Sequence, residues 1–368
     1  MKVLYISKAL VVGAYQSKLE ELARIDNIEL VAVVPPGWRE PGVGMLPLEQ
    51  RHVGGYKLHV LPLRLNGHHH LFTFAGLERV VAEERPDVLH ADEESFNLAT
   101  VQAIRAGVRA GARCCFYNWA NIDRRYPPPF SWFERYSFRH SAHAIAGNRE
   151  AQAIIRRHGY TGPITVLPQF GVDPEFFSPA EQTPPWRPFV VGFFGRLLQR
   201  KGVLDLLDAL AMLPSDIHLL LVGQGDLEPE VRARSSAPPL TGRVELVPWV
   251  PSAEVPAQLR RLHALALPSR TTPRWKEQFG RVLVEAMACG VPVIGSDSGE
   301  IPHVIGDAGL IFPEGDAPAL ADRIRCLAGD EHLWQELRQR GRRRVLEHYT
   351  QRSLAAAYAD IYRSMLIK

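Results

Sequence analysis

Pro273-Arg-Trp-Lys-Glu277-Gln-Phe-Gly280-Arg-Val-Leu-Val-Glu285-Ala-Met-Ala-Cys-Gly290, followed at once by Val291-Pro-Val-Ile294, is the stretch on which the reading of this chain turns. Pro273 interrupts the segment before Glu277. From Gly280 the apolar residues Val282, Leu283, Ala286 and Met287 recur at helical spacing, Gly290 closes the run, and the residues after it read as a buried strand. The order is loop, short helix, turn, strand. Glycine at the first turn lets a ligand approach free backbone N–H groups, and the helix dipole favours negative charge there. Glu277 precedes the helix and Glu285 lies inside it, so the two acids do not share a helical face and would serve different parts of one extended ligand. A solvated loop acid and an ordinary helix acid are the other reading of the same residues.

Working outward, a chain of 368 residues exceeds the usual size of one core, which predicts two domains. Hydrophobic residues make up 46% and charged residues 23%, the balance of a globular protein without a membrane span, and no apolar run reaches the roughly 18 residues a span needs. A formal net charge of +3 makes no case for nucleic acid. Cys114 and Cys115 are adjacent, and Cys289 and Cys326 lie far off, so neither a disulfide framework nor a metal spacing emerges and a reducing cytoplasmic setting is expected. Met1-Lys-Val-Leu-Tyr-Ile-Ser7 reads as a first buried strand rather than a signal peptide core.

Strand-like runs at 2–7, 28–34, 56–61, 88–91, 113–117, 143–146 and 164–167 alternate with helical stretches such as 17–25, 75–84, 95–107 and 149–158. A Pro-rich segment at 178–188 is the best linker, and a second alternation follows with strands at 189–194, 218–222, 244–247, 264–267, 292–295 and 310–312. Each half therefore reads as a parallel doubly wound sheet, with domains at 1–178 and 188–349. Loops after strand ends line the ligand crevice of such sheets. In the first half these loops hold Gly13, the run His90-Ala-Asp-Glu-Glu94 and the run Asn118-Trp-Ala-Asn121, which suit either helix capping or substrate contact. His68-His-His70 cannot all face one ion, and a solvated loop is the expectation there. Residues 124–140 mix basic and aromatic side chains, as an amphipathic helix packed on its own domain would, or a segment that rests on an anionic membrane surface.

The second half carries the sharper chemistry. Its first strand leads into Gly195-Arg-Leu-Leu-Gln-Arg-Lys-Gly202, where Arg196 and Lys201 set two cations over the mouth of the sheet, as a departing diphosphate requires. Val222-Gly-Gln-Gly225-Asp226 and Pro248-Trp-Val250-Pro251 also follow strands and could hold a flat ring by backbone contacts and stacking.

Together, Phe194-Gly-Arg-Leu-Leu-Gln-Arg-Lys-Gly202, Pro268-Ser269, Glu277 and Glu285 with seven residues between them, Ala288-Cys-Gly-Val-Pro-Val-Ile294 and Ser298-Gly-Glu-Ile-Pro-His-Val-Ile-Gly-Asp-Ala-Gly309 resemble the C-terminal domain of the retaining family 4 glycosyltransferases. Pro168-Gln-Phe-Gly-Val-Asp173 and the N-terminal strand match as well, so the resemblance covers nearly the whole chain. It implies a GT-B fold: α/β, with two Rossmann-like doubly wound parallel-sheet domains facing a cleft, the last helix at about 350–366 crossing back to the first. The N-terminal domain would take a glycan, lipid-linked or small-molecule acceptor. The C-terminal one would bind a UDP- or GDP-sugar as donor substrate, with no bound cofactor or metal. The resemblance further implies that Arg196 and Lys201 hold the diphosphate, Glu277 the donor sugar and Glu285 the ribose. The helix start at Phe279, Gly280 and Arg281 would face sugar or phosphate, with Gly13, Gly195, Gly225 and Val250 offering backbone contacts. Many relatives carry a His where this chain has Asn118, which can hydrogen-bond a sugar but cannot accept a proton as His can. Glu300 likewise stands where small residues follow Ser-Gly. A nucleotide-sugar epimerase of similar fold, or a catalytically silent nucleotide-sugar-binding scaffold, are the rival readings. The expected setting is cytoplasmic, with a peripheral contact at the inner face of the membrane through 124–140.

Overall fold

The computed structural model describes residues 1–40 and 43–367, and the chain divides into two compact units. The first comprises Met1–Gly171 with the C-terminal helix Gln351–Leu366, and the second Val172–Thr350.

The first unit is built on seven parallel strands in the order Ile164–Val166, His143–Ala146, Arg113–Asn118, Val88–Ala91, Lys2–Ile6, Glu29–Val34, Lys57–Val60. These are the runs expected from sequence, shifted by a residue or so at some ends. The chain first builds outward from Lys2–Ile6 on one side and then returns to build on the other, which makes a switch point between Lys2–Ile6 and Val88–Ala91. In Arg113–Asn118 consecutive side chains alternate between faces: Cys114 joins one apolar layer and Cys115 the other. The layer holding Cys115 is covered by the C-terminal helix, whose Leu354, Tyr358 and Tyr362 are fully buried. Inside it Lys18, also fully buried, donates to the Tyr5 hydroxyl at 2.9 Å and the Gln169 carbonyl at 2.7 Å, with its ammonium 4.3 Å from the Tyr358 ring centre.

Two short antiparallel pairs, Gly37–Glu40 with Gly44–Pro47 and Leu63–Arg64 with Thr73–Phe74, are additions that sequence patterning did not predict. Their strands of two to four residues are too short to show a period of two. Residues 124–140 contain the helix Phe130–His140, which buries Ser137 and leaves Trp132 61% exposed. All four cysteines are free. No helix among the described residues is long and apolar enough to cross a membrane.

The second unit has six parallel strands in the order Val244–Val247, Ile217–Val222, Phe189–Phe194, Ala264–Leu267, Val293–Ser296, Gly309–Phe312. Helices Val203–Ala211 and Ala317–Gly329 pack on one face and Arg281–Ala288 on the other, while Glu331–His348 contributes Trp334 and Leu337 to the first layer and Val345 to the second. Residues 178–188, linker-like in composition, run against this unit: Trp186 packs edge-on to His263 and Trp334, and the Trp334 Nε1–H donates to the His263 carbonyl at 2.6 Å. The strand order reverses between Phe189–Phe194 and Ala264–Leu267, so the loops at 195–202 and 268–280 leave the sheet side by side at the carboxyl ends of its strands, where sheets of this kind bind ligands.

Candidate active site

Glycines shape the loop after Phe194. Gly202 has φ +70°, and a Cβ there would stand 1.8 Å from the Pro268 carbonyl oxygen; Gly223, at φ +145°, would meet the Gly195 carbonyl at 1.9 Å. Backbone therefore lies directly on backbone where the 195–202, 223–226 and 268–280 loops converge. That close approach brings Lys201 to Glu277: Nζ lies 2.6 Å from Oε2. The Ser269 hydroxyl donates to the same oxygen at 2.8 Å, and Glu277 is buried. The next loop fastens Glu277 from behind, since the Glu300 N–H donates to the Glu277 carbonyl at 3.1 Å. Gly299, at φ +57°, would place a Cβ 2.1 Å from that carbonyl, so the Ser298-Gly-Glu300 motif is explained by contact with the Glu277 backbone. Glu300 itself sits at the N-cap position of the helix Ile301–Ile305.

Glu285 lies one turn along Arg281–Ala288, where the Arg281 guanidinium donates to it at 2.8 Å. Burial pushes its carboxyl up and Arg281 opposes the shift. Gly280 takes the left-handed conformation at the start of this helix, with φ +78° and ψ +55°, and supplies no side-chain cap to the first-turn N–H groups. The Phe279 ring packs edge-on to Tyr349 at 5.7 Å.

A cavity of about 880 Å³ opens beside this helix. Arg196, Gly195, Gly225, Val250, Arg281 and Glu285, all singled out from sequence, line it. Trp249, 67% exposed, adds an aromatic face to the same wall. Lys201, within the 195–202 loop, and Glu277 are hydrogen-bonded to each other and are not part of this lining, so six of the residues expected from sequence line the cavity and two more pair with each other beside Ser269. Trp275 and Ser269 join the site without a signal of their own in the sequence: the Trp275 ring stands 4.8 Å from the Lys201 ammonium and the Ser269 hydroxyl donates to Glu277. Nothing in linear spacing marks either one: Trp275 meets Lys201 from another loop, and Ser269 reaches Glu277 only because their own loop folds back on itself.

Gly13 and Asn118 belong to the first unit. The Gly13 N–H donates to Glu49 Oε2 at 3.0 Å, and a Cβ on Gly13 would collide with Arg51 and Glu49. Asn118 is buried with its amide engaged at both ends: Oδ1 accepts from the Ser95 N–H at 2.8 Å and Nδ2 donates to Ser95 Oγ at 3.0 Å. It ties the loop after Val88–Ala91 to the strand Arg113–Asn118. Beside it Glu94 Oε1 accepts the N–H groups of Trp119 and Ala120 at 2.9 and 3.1 Å.

Residues 19–176 match the family model described as Glycosyltransferase Family 4, and residues 176–344 the model described as Glycosyl transferases group 1. The chain belongs to the family 4 glycosyltransferases. Within that family it is 43% identical over 93 residues to the N-acetyl-alpha-D-glucosaminyl L-malate synthase of Bacillus anthracis, covering 25% of this chain and 24% of that one. It is 30% identical over 211 residues to the alpha-maltose-1-phosphate synthase of Mycobacterium tuberculosis, covering 55% and 51%. The matches thus span between a quarter and a half of these relatives. The whole fold superimposes on the Anabaena protein HepE, solved with UDP, with a TM-score of 0.72 at 20% identity over 99% of this chain and 100% of that one. This is the GT-B fold that the sequence motifs implied.

Proposed function

We propose that the protein is a retaining glycosyltransferase that moves a sugar from a UDP- or GDP-sugar to an acceptor hydroxyl in glycan, glycolipid or glycosylated metabolite synthesis. The observation that carries this reading is the Lys201–Glu277–Ser269 cluster beside a cavity that holds Arg196, Glu285 and the start of the helix Arg281–Ala288. The base would lie along Val250 and Trp249, the ribose hydroxyls on Glu285, and the diphosphate between Arg196, Lys201 and the N–H groups of the helix start. Glu277 would accept hydroxyls of the donor sugar. As the glycosidic bond to phosphate lengthens, negative charge grows on the leaving oxygen, and the two cations with the helix start stabilise it without a metal. Lys201 is then shared between Glu277 and the phosphate, so Glu277 also sets where that ammonium sits. The departing phosphate oxygen can take the acceptor proton on the same face, which accounts for retention without a dedicated side-chain base. Complexes of HepE with UDP and with UDP-glucose support a uridine nucleotide as the first donor to try.

The first unit would take the acceptor, with the loops at 92–97 and 118–130 as its selective surface. A cytoplasmic enzyme working at the inner face of the membrane would use the exposed Trp132 and the arginines of 124–140 for a peripheral contact.

Incubation with a panel of nucleotide sugars, with and without candidate acceptors, should release free nucleotide, and EDTA should leave the rate unchanged. Glu277→Ala and Lys201→Ala should each lower turnover about a hundredfold or more with the fold intact. Binding without consumption under every acceptor condition would instead make the protein a scaffold, and interconversion of sugars without nucleotide release would make it an epimerase.

A further inference from the structure

A second cavity, of about 620 Å³, adjoins this site in the same unit, and the chemistry proposed above does not use it. Arg200, Arg274, Trp275, Thr271, Thr272 and Asp226 are among its lining residues. Trp275 is the wall it shares with the donor site: one ring meets the Lys201 ammonium at 4.8 Å and the Arg200 guanidinium at 5.3 Å. The loops around it are fixed. The Arg270 N–H donates to the Arg200 carbonyl at 2.8 Å, and the Thr272 N–H to the Trp275 carbonyl at 2.8 Å.

The charges around the cavity do not cancel. Arg270 also lines it, but its guanidinium is committed to both carboxylate oxygens of the buried Asp205. Glu314 is spent on the Thr271 N–H at 2.6 Å. Arg274 is exposed and has no acidic partner among the described residues, and the buried Nε of Arg200 has no hydrogen-bond acceptor among them. Neither guanidinium is paired with a carboxylate among the described residues, so both charges are left for an anion in the cavity to meet. Among the described residues Asp226 is the one carboxylate of the lining to set against these two arginines. Trp275 brings an aromatic ring to the lining against which a sugar can pack, while the Thr271 hydroxyl is engaged with Ser298 Oγ at 2.9 Å and the Thr272 hydroxyl donates to the Trp275 carbonyl at 3.3 Å, which leaves the two arginines as the donors to a ligand.

We propose that this cavity is an anion subsite that takes a carboxylate or phosphate carried on a sugar ring, with the ring against Trp275 and the anion between Arg200 and Arg274. It rests on the reading of Lys201 and Glu277 as the sugar end of the donor site. The enzyme would accordingly be selective for an acidic sugar, on either the donor or the acceptor.

Titration calorimetry separates the possibilities. UDP and GDP are titrated first, which tests the donor site alone. UDP-glucuronate is then compared with UDP-glucose, or GDP-mannuronate with GDP-mannose if the protein prefers GDP. Glucose 6-phosphate is compared with glucose on the protein with and without saturating nucleotide. The expected result is that an acidic ligand binds about tenfold or more tightly than its neutral counterpart in one of these arms. Arg274→Ala and Arg200→Gln should each reduce that ratio to within about twofold of unity while nucleotide affinity stays the same, which also certifies the fold. Preference in the first comparison puts the anion on the donor, and preference in the second puts it on the acceptor. Equal affinities of acidic and neutral ligands in both, or a preference that survives both substitutions, would overturn the proposal. Failure of UDP and GDP to bind would sink the donor reading instead, since glucose 6-phosphate still reads this subsite without nucleotide.

Discussion

Glu94 shows how much one side chain's role depends on partners far along the chain. Its Oε1 is satisfied by two N–H groups, whereas Oε2 is buried with no partner among the described residues. Burial pushes the carboxyl up to about 7, against the opposing pull of the Trp119 and Ala120 N–H groups. The folded chain therefore holds this proton more tightly than the unfolded chain does. The stability so gained is complete below the unfolded value of about 4.3 and is lost as pH rises through about 7. Glu94→Gln keeps an acceptor for both N–H groups and removes the titration. Its urea denaturation midpoint should vary less than the wild type's between pH 5 and 8, with a gain of about 1–3 kcal/mol at pH 8. Wild-type and variant curves that run parallel across that range would refute the assignment. The same dependence on distant partners limited what sequence alone could say of the site. Arg196, Glu277 and Glu285 were legible because motif spacing carries them. Ser95 as the partner of Asn118, and Glu49 on the Gly13 N–H, lie 23 and 36 residues from the groups they satisfy, and no local pattern predicts such pairs.

At the scale of elements, the helix Arg281–Ala288 and the strand after it were readable because glycine punctuates both ends: Gly280 and Gly290 both have positive φ, at +78° and +70°. Strand positions were readable from apolar runs, but strand order was not. The inner strands of the second sheet are apolar runs that read alike, and only the fold decides that Ala264–Leu267 lies beside Phe189–Phe194. That adjacency presses Gly202 against Pro268, so Gly202→Ala should destabilise the protein by about 2–4 kcal/mol through a backbone clash at positive φ. Gly329, where a Cβ would meet nothing within 4 Å and φ is not positive, is the control: Gly329→Ala should leave stability within about 1 kcal/mol of wild type. Thermal unfolding of the two variants checks both, and equal melting temperatures would contradict the packing account.

For the whole molecule, two α/β units and their strand alternation could be read from the sequence, and the C-terminal helix is the piece that makes the first unit discontinuous. Ending the chain at Thr350 would strip Leu354, Tyr358 and Tyr362 from a layer in which each is fully buried. Calorimetry of that truncated protein should show the unfolding transition of the first unit lost or greatly weakened and that of the second retained. The central claim is that the second unit grips a nucleotide diphosphate sugar between Arg196, Lys201, Glu277 and Glu285. The most direct measurement is calorimetric titration of UDP and GDP into the wild type, Lys201→Ala and Glu285→Ala. One nucleotide should bind the wild type, and each substitution should weaken it about tenfold or more, since each removes a charge-assisted contact. Unchanged affinity in both variants, or no binding of either nucleotide to the wild type, would contradict the account.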